Sequence, residues 1–252
     1  MSRTAAALII GNEVLTGKVQ EQNVQVLAQT LFELGIEFRA CRVCLDIEAD
    51  IVSDVRALSQ KYDFVFTSGG VGPTHDDITL SSVAKALGRG IERHEAIVSR
   101  LREYHGEDLT EAHLRMADLP QGARLLQSGK LSWPAIQVEN VFVLPGVPKA
   151  FRWKLETIAA HLREDSAESF TSLRVYTLSE EALLAPLLDE LDAKYVDVNI
   201  GSYVRWDHPN YKVMISFDGS ETDTLTAAAE EFRSRLPADK LVPNEVAEAT
   251  EE

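Results

Sequence analysis

Two adjacent carboxylates, Asp76 and Asp77, follow Ser68, Gly69, Gly70, Gly72, Pro73 and Thr74 within a ten-residue stretch. Glycines at that density permit positive φ and let backbone N–H groups approach a ligand closely. Such a turn ahead of a helix suits phosphate. Two acids beside a phosphate repel it unless a cation lies between them, so the pattern points to metal-assisted phosphate or pyrophosphate chemistry. The plainer alternative is a tight loop in which the acids cap the following helix. Three other places share one property with this turn, since each follows a short apolar run. Gly11, Glu13 and Gly17 follow residues 5–10, Asp46 follows residues 38–45, and Pro145, Gly146 and Pro148 follow residues 135–144. Taken alone, Asp46 reads equally as a helix N-cap, and the Pro-Gly segment as a rigid turn.

The elements that must position these residues alternate between strand and helix. Residues 5–10 form a continuous apolar run, the pattern of a strand buried on both faces. Over residues 22–35, Val24, Leu27, Leu31 and Leu34 recur at helical spacing and Gly35 supplies a stop. A strand over 38–45, a helix over 48–62, a strand over 62–67 and a helix over 80–87 follow. Helices are expected over 94–106 and 109–119, strands at 125–126 and 135–144 with a turn at Ser128 and Gly129, and a helix over 149–162. This order predicts an α/β three-layer sandwich with a mostly parallel sheet, whose ligands bind beyond the carboxyl ends of the strands. All four notable groups sit at such ends. A polar stretch over 164–169 reads as a linker. A β-α-β-β-α set then predicts a small α+β domain, with strands over 173–177, 196–200 and 211–217 and helices over 180–191 and 224–236. The boundaries are 1–165, 170–243, and an acidic, frayed tail over 244–252.

Composition narrows the partners. The chain has 252 residues, 45% of them hydrophobic, and a formal net charge of −15. Broad nucleic-acid or anionic-membrane binding rests on Lys and Arg and is not expected. No apolar run approaches the ~20 residues of a membrane span, and no signal-peptide pattern opens the chain, so a cytoplasmic protein is expected. Cys41 and Cys44, three apart in a strand, point to opposite faces and read as free core thiols rather than a disulfide or zinc clip. Of six histidines only His75 lies in a suspected site. Neither a P-loop nor a nucleophile elbow is present.

Residues 69–79, read as Gly-Gly-Val-Gly-Pro-Thr-His-Asp-Asp-Ile-Thr, resemble the signature of the molybdopterin-binding (MogA/MoaB-like) family. They are nearest its CinA (competence/damage-inducible protein A) branch and the N-terminal domain of eukaryotic FAD synthases. Gly11, Glu13, Leu15, Gly17 and Asn23 match the first-turn pattern of that family, Asp46 an acid after its second strand, and Leu144–Pro148 its Pro-Gly-x-Pro segment. Ile200–Tyr203 and Tyr211–Val213 resemble the small domain that follows. Pro73 precedes Thr74, and Asp76 replaces a non-acidic residue. Both features depart from the molybdopterin adenylyltransferase branch and favour the CinA side.

The resemblance implies a nucleotide pyrophosphatase that cleaves FAD or ADP-ribose type substrates to AMP and a second phosphate product. It implies a divalent cation, magnesium, cobalt or manganese, or else potassium, held by Asp46, Asp76 and Asp77. Asp77 is expected as main ligand or base, with Asn23 and Glu13 positioning ligand or water. The amides of 69–72, with Ser68 and Thr74, are expected on phosphate oxygens, and Gly11, Gly17, Pro145, Gly146 and Pro148 on the pocket wall. Adenylyl transfer to a pterin is the alternative enzyme class, and a non-catalytic nucleotide- or pterin-binding module the alternative outside enzymes. A homo-oligomer, dimer or trimer, is implied. Neither the amidase domain of full-length CinA nor the FMN adenylyltransferase domain of FAD synthase is evident, so neither of those activities is expected.

Overall fold

A computed structural model describes residues 3–127, 133–164 and 170–249. The turn expected at Ser128 and Gly129, and residues 165–169 of the linker, lie outside them. The chain divides into two compact units, Met1–Ala167 and Glu168–Glu252.

In the first unit, β1 (Arg3–Ile10) leads through the one-turn α1 (Asn12–Leu15) into α2 (Asn23–Glu33). Then come β2 (Ile36–Cys44), α3 (Glu48–Ser59), β3 (Phe64–Ser68) and α4 (Thr79–Ala86). After β4 (Ile91–Arg93), α5 (Glu95–His105), α6 (Glu111–Leu114), β5 (Asp118–Pro120) and β6 (Arg124–Leu126), the sheet is completed by β7 (Ala135–Val138) and β8 (Val141–Leu144), and α7 (Pro148–Glu164) closes the unit. Six strands form one sheet in the order β2-β1-β3-β8-β7-β6. β2, β1, β3 and β8 are parallel, β7 runs antiparallel to β8, and β6 runs antiparallel to β7.

β1 is buried on both faces, as its unbroken apolar run requires. Ala5, Ala7 and Ile9 pack with Leu27 and Leu31 of α2 and with Phe151 and Ile158 of α7. Ala6, Leu8 and Ile10 pack with Ile51 and Val55 of α3 and Val83 of α4. The first crossover runs from β1 to β2 on one side, and the second runs from β2 back past β1 to β3 on the other. The strand order therefore reverses between β1 and β3, the place where sheets of this kind bind ligands.

Three expectations are corrected here. The single strand over 135–144 is a hairpin: Glu139 turns at φ 52° without a glycine to announce it. The helix over 109–119 is one turn of helix, then a strand, because Asp118–Pro120 pair with Ile91–Arg93. Cys44 is buried but Cys41 is exposed, since β2 is the open edge of the sheet. Burial, followed by the negative charges of Asp54, Asp50 and Asp46, pushes the Cys44 thiol up to about 12.

In the second unit, β9 (Thr171–Thr177), α8 (Glu181–Lys194), β10 (Asn199–Val204), β11 (Val213–Gly219) and α9 (Thr222–Arg235) are followed by β12 (Leu241–Val242) and α10 (Asn244–Glu248). The sheet is antiparallel, in the order β10-β11-β9-β12. Phe217, Val175 and Ile215 pack on α8 and α9 through Leu184, Leu191 and Phe232. The expected frayed tail is corrected as far as residue 249. Ala247 is buried with Tyr176 and Tyr211 on the other face of the sheet, and Tyr176 donates a 3.0 Å hydrogen bond to Glu248. Among the described residues no helix is long and apolar enough to cross a membrane.

Candidate functional site

Register brings the four parallel strand ends together, with Ile10 opposite Cys44, Ile9 opposite Ser68, and Ser68 opposite Leu144. At the first corner the Gly11 N–H donates to the Cys44 carbonyl at 3.2 Å, and the Asn12 N–H donates to Asp46 Oδ2 at 2.8 Å. The Asp46 N–H returns a bond to Asn12 Oδ1 at 3.3 Å. Asp46 thus caps a turn across the sheet. It does not cap α3, whose N-cap Ile47 makes no side-chain bond. Glu13 and Gly17 are exposed, and the Glu13 carbonyl accepts from the N–H groups of Lys18 and Val19.

The glycine turn after β3 is set by sterics. Gly69 has φ 107°, and a Cβ there would lie 2.0 Å from the Ile10 carbonyl oxygen. Gly70 has φ 62°, and a Cβ there would lie 2.3 Å from Thr79 Oγ1. These are positions only glycine can fill. The carbonyls of both are engaged, since the Thr79 hydroxyl donates to Gly69 O at 2.8 Å and the Thr79 N–H to Gly70 O at 3.1 Å. The Gly69 N–H donates to Leu144 O at 3.2 Å, so it is not available to a phosphate as expected. The next three amides, Gly70, Val71 and Gly72, find no acceptor among the described residues. Successive N–H groups with a left-handed residue among them make a concavity suited to an anion.

The two adjacent acids separate in role. Asp77 Oδ2 accepts from the Thr74 N–H at 2.8 Å and from the Thr74 hydroxyl. Thr-x-x-Asp is the spacing that lets an acid reach back three residues. Here it braces the loop, whereas α4 starts at Thr79 with no acid in its first turn. The acids as caps of α4 are corrected by this contact, and Thr74 gives its N–H and hydroxyl to Asp77 rather than to a phosphate, while Asp77 Oδ1 meets no donor among the described residues. Asp76 is exposed. The Thr74 proton, closest to Asp77, also attracts Asp76 and holds its carboxyl below the usual carboxylate range. His75 stands 3.9 Å from Asp76 and is otherwise in solvent. Asp46, Asp76 and Asp77 form no joint cluster: among the described residues no three His, Cys, Asp or Glu side chains are placed to hold a metal. Set apart in this way, the three carboxylates do not fit a metal held by protein alone.

Asn23, at the start of α2 and 2% exposed, ties the remaining ends. Its Nδ2 donates to Ser68 Oγ and to Gly146 O, each at 2.9 Å. A carbonyl partner requires the nitrogen there, which fixes the orientation of the amide. Its Oδ1 is buried and has no partner among the described residues. A Cβ on Gly146 would lie 3.4 Å from Gly69 Cα, so the two turns lie side by side with room for a methyl group between them. Pro145 lies between β8 and that turn, and Pro148 opens α7 at a helix position that needs no N–H.

Two residues escaped the sequence reading. Glu21 accepts from the N–H groups of Asn23 and Val24 at 2.5 and 2.7 Å, capping α2. An acid just ahead of a periodic run was the available signal. Arg115 donates from Nη2 to the Pro73 carbonyl at 3.0 Å across 42 positions, which no local pattern announces.

A sheet with a strand-order reversal, glycine turns at its ends and an anion-suited loop defines an α/β small-ligand-binding domain. Comparison with known proteins agrees. Residues 6–164 match the family model described as "Probable molybdopterin binding domain", and residues 169–245 match "FAD synthase, middle domain". The chain belongs to the molybdopterin-binding domain family, on its CinA side and close to FAD synthases. It is 31% identical to a "Probable FAD synthase" of Caenorhabditis elegans over 93% of this chain and 50% of that one. It is 32% identical to a CinA-like protein of Anaeromyxobacter dehalogenans over 81% of this chain and 53% of that one. The chain thus spans about half the length of both. The solved structure of CinA from Thermoplasma acidophilum, described as of unknown function, superimposes with a TM-score of 0.59 at 29% identity, covering 64% of this chain and 98% of that one.

Proposed function

We propose that this chain is a nucleotide pyrophosphatase that takes FAD, ADP-ribose or a similar dinucleotide to AMP and a second phosphate product. The observation that carries the reading is the row of three unclaimed amides, Gly70, Val71 and Gly72, at the switch point of the sheet. Fixed N–H dipoles there meet charge that builds on phosphate oxygens during cleavage, with no reorganisation needed. Asp76 is the one carboxylate of the expected three that is exposed, sharing only the Thr74 hydroxyl proton with Asp77. Any magnesium, cobalt, manganese or potassium ion then belongs to the substrate, arriving as a metal–pyrophosphate complex. The likeness to FAD synthases supports a flavin nucleotide ligand. We place the protein in the cytoplasm as a dimer or trimer, which light scattering checks.

The test is AMP release from FAD and from ADP-ribose, each with magnesium, cobalt or manganese. Metal-dependent AMP release is expected. A second reading, a module that binds nucleotide or pterin without turnover, is favoured by the structural engagement of Asp46 and Asp77. Tight FAD binding with no AMP under any metal selects it over the hydrolase.

A further inference from the structure

We infer that Arg115 is the cation of a phosphate subsite at the glycine turn, an inference that rests on the anion-binding reading of that turn above. The guanidinium donates to Pro73 O, next in sequence to the last unclaimed amide, that of Gly72. Its base is rigid. Leu114 and Met116 pack against the core, Ala117 is fully buried, and the His94 N–H donates to the Ala117 carbonyl at 2.8 Å. Only the side chain between these anchors points away to the turn.

Its guanidinium has no carboxylate in ion-pair reach among the described residues. Arg39, Arg42, Arg89, Arg93, Arg102, Arg163 and Arg235 each stand within ion-pair distance of a carboxylate, while Arg3, Arg56, Arg124, Arg152 and Arg233 lack one as Arg115 does but make no bond to the glycine loop. Among the described residues Arg115 stands within that distance of none, in a chain of net charge −15 with Asp76 and Asp77 in the same loop. A guanidinium has five N–H donors, and the Pro73 carbonyl takes one. The remaining donors match the planar, bidentate demand of a phosphate. Amides and cation together supply what an anion needs beside two acids: fixed dipoles on one side and a full positive charge on the other. The ligand class is the pyrophosphate of a nucleotide.

The experiment titrates inorganic pyrophosphate into the wild-type protein, Arg115→Met and Arg115→Lys by calorimetry at low and high salt, with denaturation midpoints alongside. Lysine keeps the charge, while methionine keeps a stem of similar length without it. Expected are a partial loss in the lysine variant, which keeps the charge but not the planar fork, and a larger loss of roughly tenfold or more in the methionine variant. The salt dependence of affinity should flatten in the methionine variant alone. A methionine variant that binds as wild type overturns the inference. So does one that binds weakly with the wild-type salt dependence and a lowered midpoint, because Arg115 then only braces the Pro73 turn. Wild-type protein that binds no pyrophosphate overturns this inference and the anion-binding reading together. Binding that passes the Arg115 criteria without AMP release from FAD supports the subsite and removes only the hydrolase.

Discussion

The corner after β2 and the loop after β3 both place a carboxylate where a parallel strand ends, yet they are built by different forces. At the corner, Asp46 and Asn12 exchange hydrogen bonds across the sheet, and the backbone there is ordinary. At the loop, the backbone runs through two left-handed glycines against neighbouring atoms, and Asp77 is drawn inward to Thr74. A corner held by hydrogen bonds ends with its acid bonded to the neighbouring turn. A loop held by sterics can leave one acid, Asp76, exposed and three amides uncommitted. The uncommitted groups are what a ligand can use, so on the function proposed above the glycine loop rather than the bonded corner is the working part.

That contrast breaks first at Gly69. Gly69→Ala puts a Cβ 2.0 Å from the Ile10 carbonyl in a conformation alanine resists, and the expected cost exceeds about 4 kcal/mol in urea denaturation. Gly17→Ala, with a similar φ of 69° but no atom within 4 Å, should cost only about 1 kcal/mol. Equal costs at the two glycines would show that contact plays no part in setting the loop.

Lys154 tests the ground behind the loop. It is buried on α7, its ammonium donates to the Pro134 carbonyl, and burial pulls it down to about 8. An unfolded lysine holds its proton up to its ordinary value of 10.5. Between pH 8 and 10.5 the unfolded chain therefore binds more protons, and stability should rise with pH through that window by up to about 3 kcal/mol. Lys154→Met should be the more stable protein at pH 7 and should lack that rise. Parallel pH curves for the two proteins would contradict the burial.

Asn23→Ala removes both bonds that join α2 to the ends of β3 and β8 and should cost about 2 kcal/mol. The acids give the smallest effects and the sharpest contrast. Asp46→Ala should cost about 1 kcal/mol, the value of a lost cap. Asp76→Ala should leave the denaturation midpoint unchanged and alter only nucleotide affinity or turnover. A midpoint that falls with Asp76→Ala would mean that the exposed acid is structural after all.

Much of the fold was legible because burial writes itself into local patterns. The unbroken apolar run of β1 and the 3–4 spacing of α2 required no distant knowledge. The β7–β8 hairpin was missed because Glu139 and Asn140 make the turn without glycine or proline. The β4–β5 pair was missed because its two strands come from separate stretches of chain. The same division holds at the site. Gly69, Gly70 and Gly72 announced their turn, and register alone carried Ser68 and Gly146 to Asn23. The roles of the acids were not legible, although Thr74 and Asp77 stood at bracing distance in the sequence. Identical residue types three and two places from one threonine differ only in which of them the backbone turns toward it. Arg115 left no trace because its target lies 42 residues away.

The hydrogen bonds that join the β3 turn to the turn after β8 have a practical reach. The Gly69 N–H bonds to the Leu144 carbonyl and Asn23 bridges Ser68 to the Gly146 carbonyl, so a shift of the β3 turn around a ligand should be passed to the turn after β8. Val147, beside Gly146 and 65% exposed, lies where such a shift comes to the surface. A fluorophore at that position, in a background where Cys41 is replaced by serine, would turn occupancy of the glycine loop into an optical signal. Candidate nucleotides and pterins could then be screened without first knowing which of them is turned over.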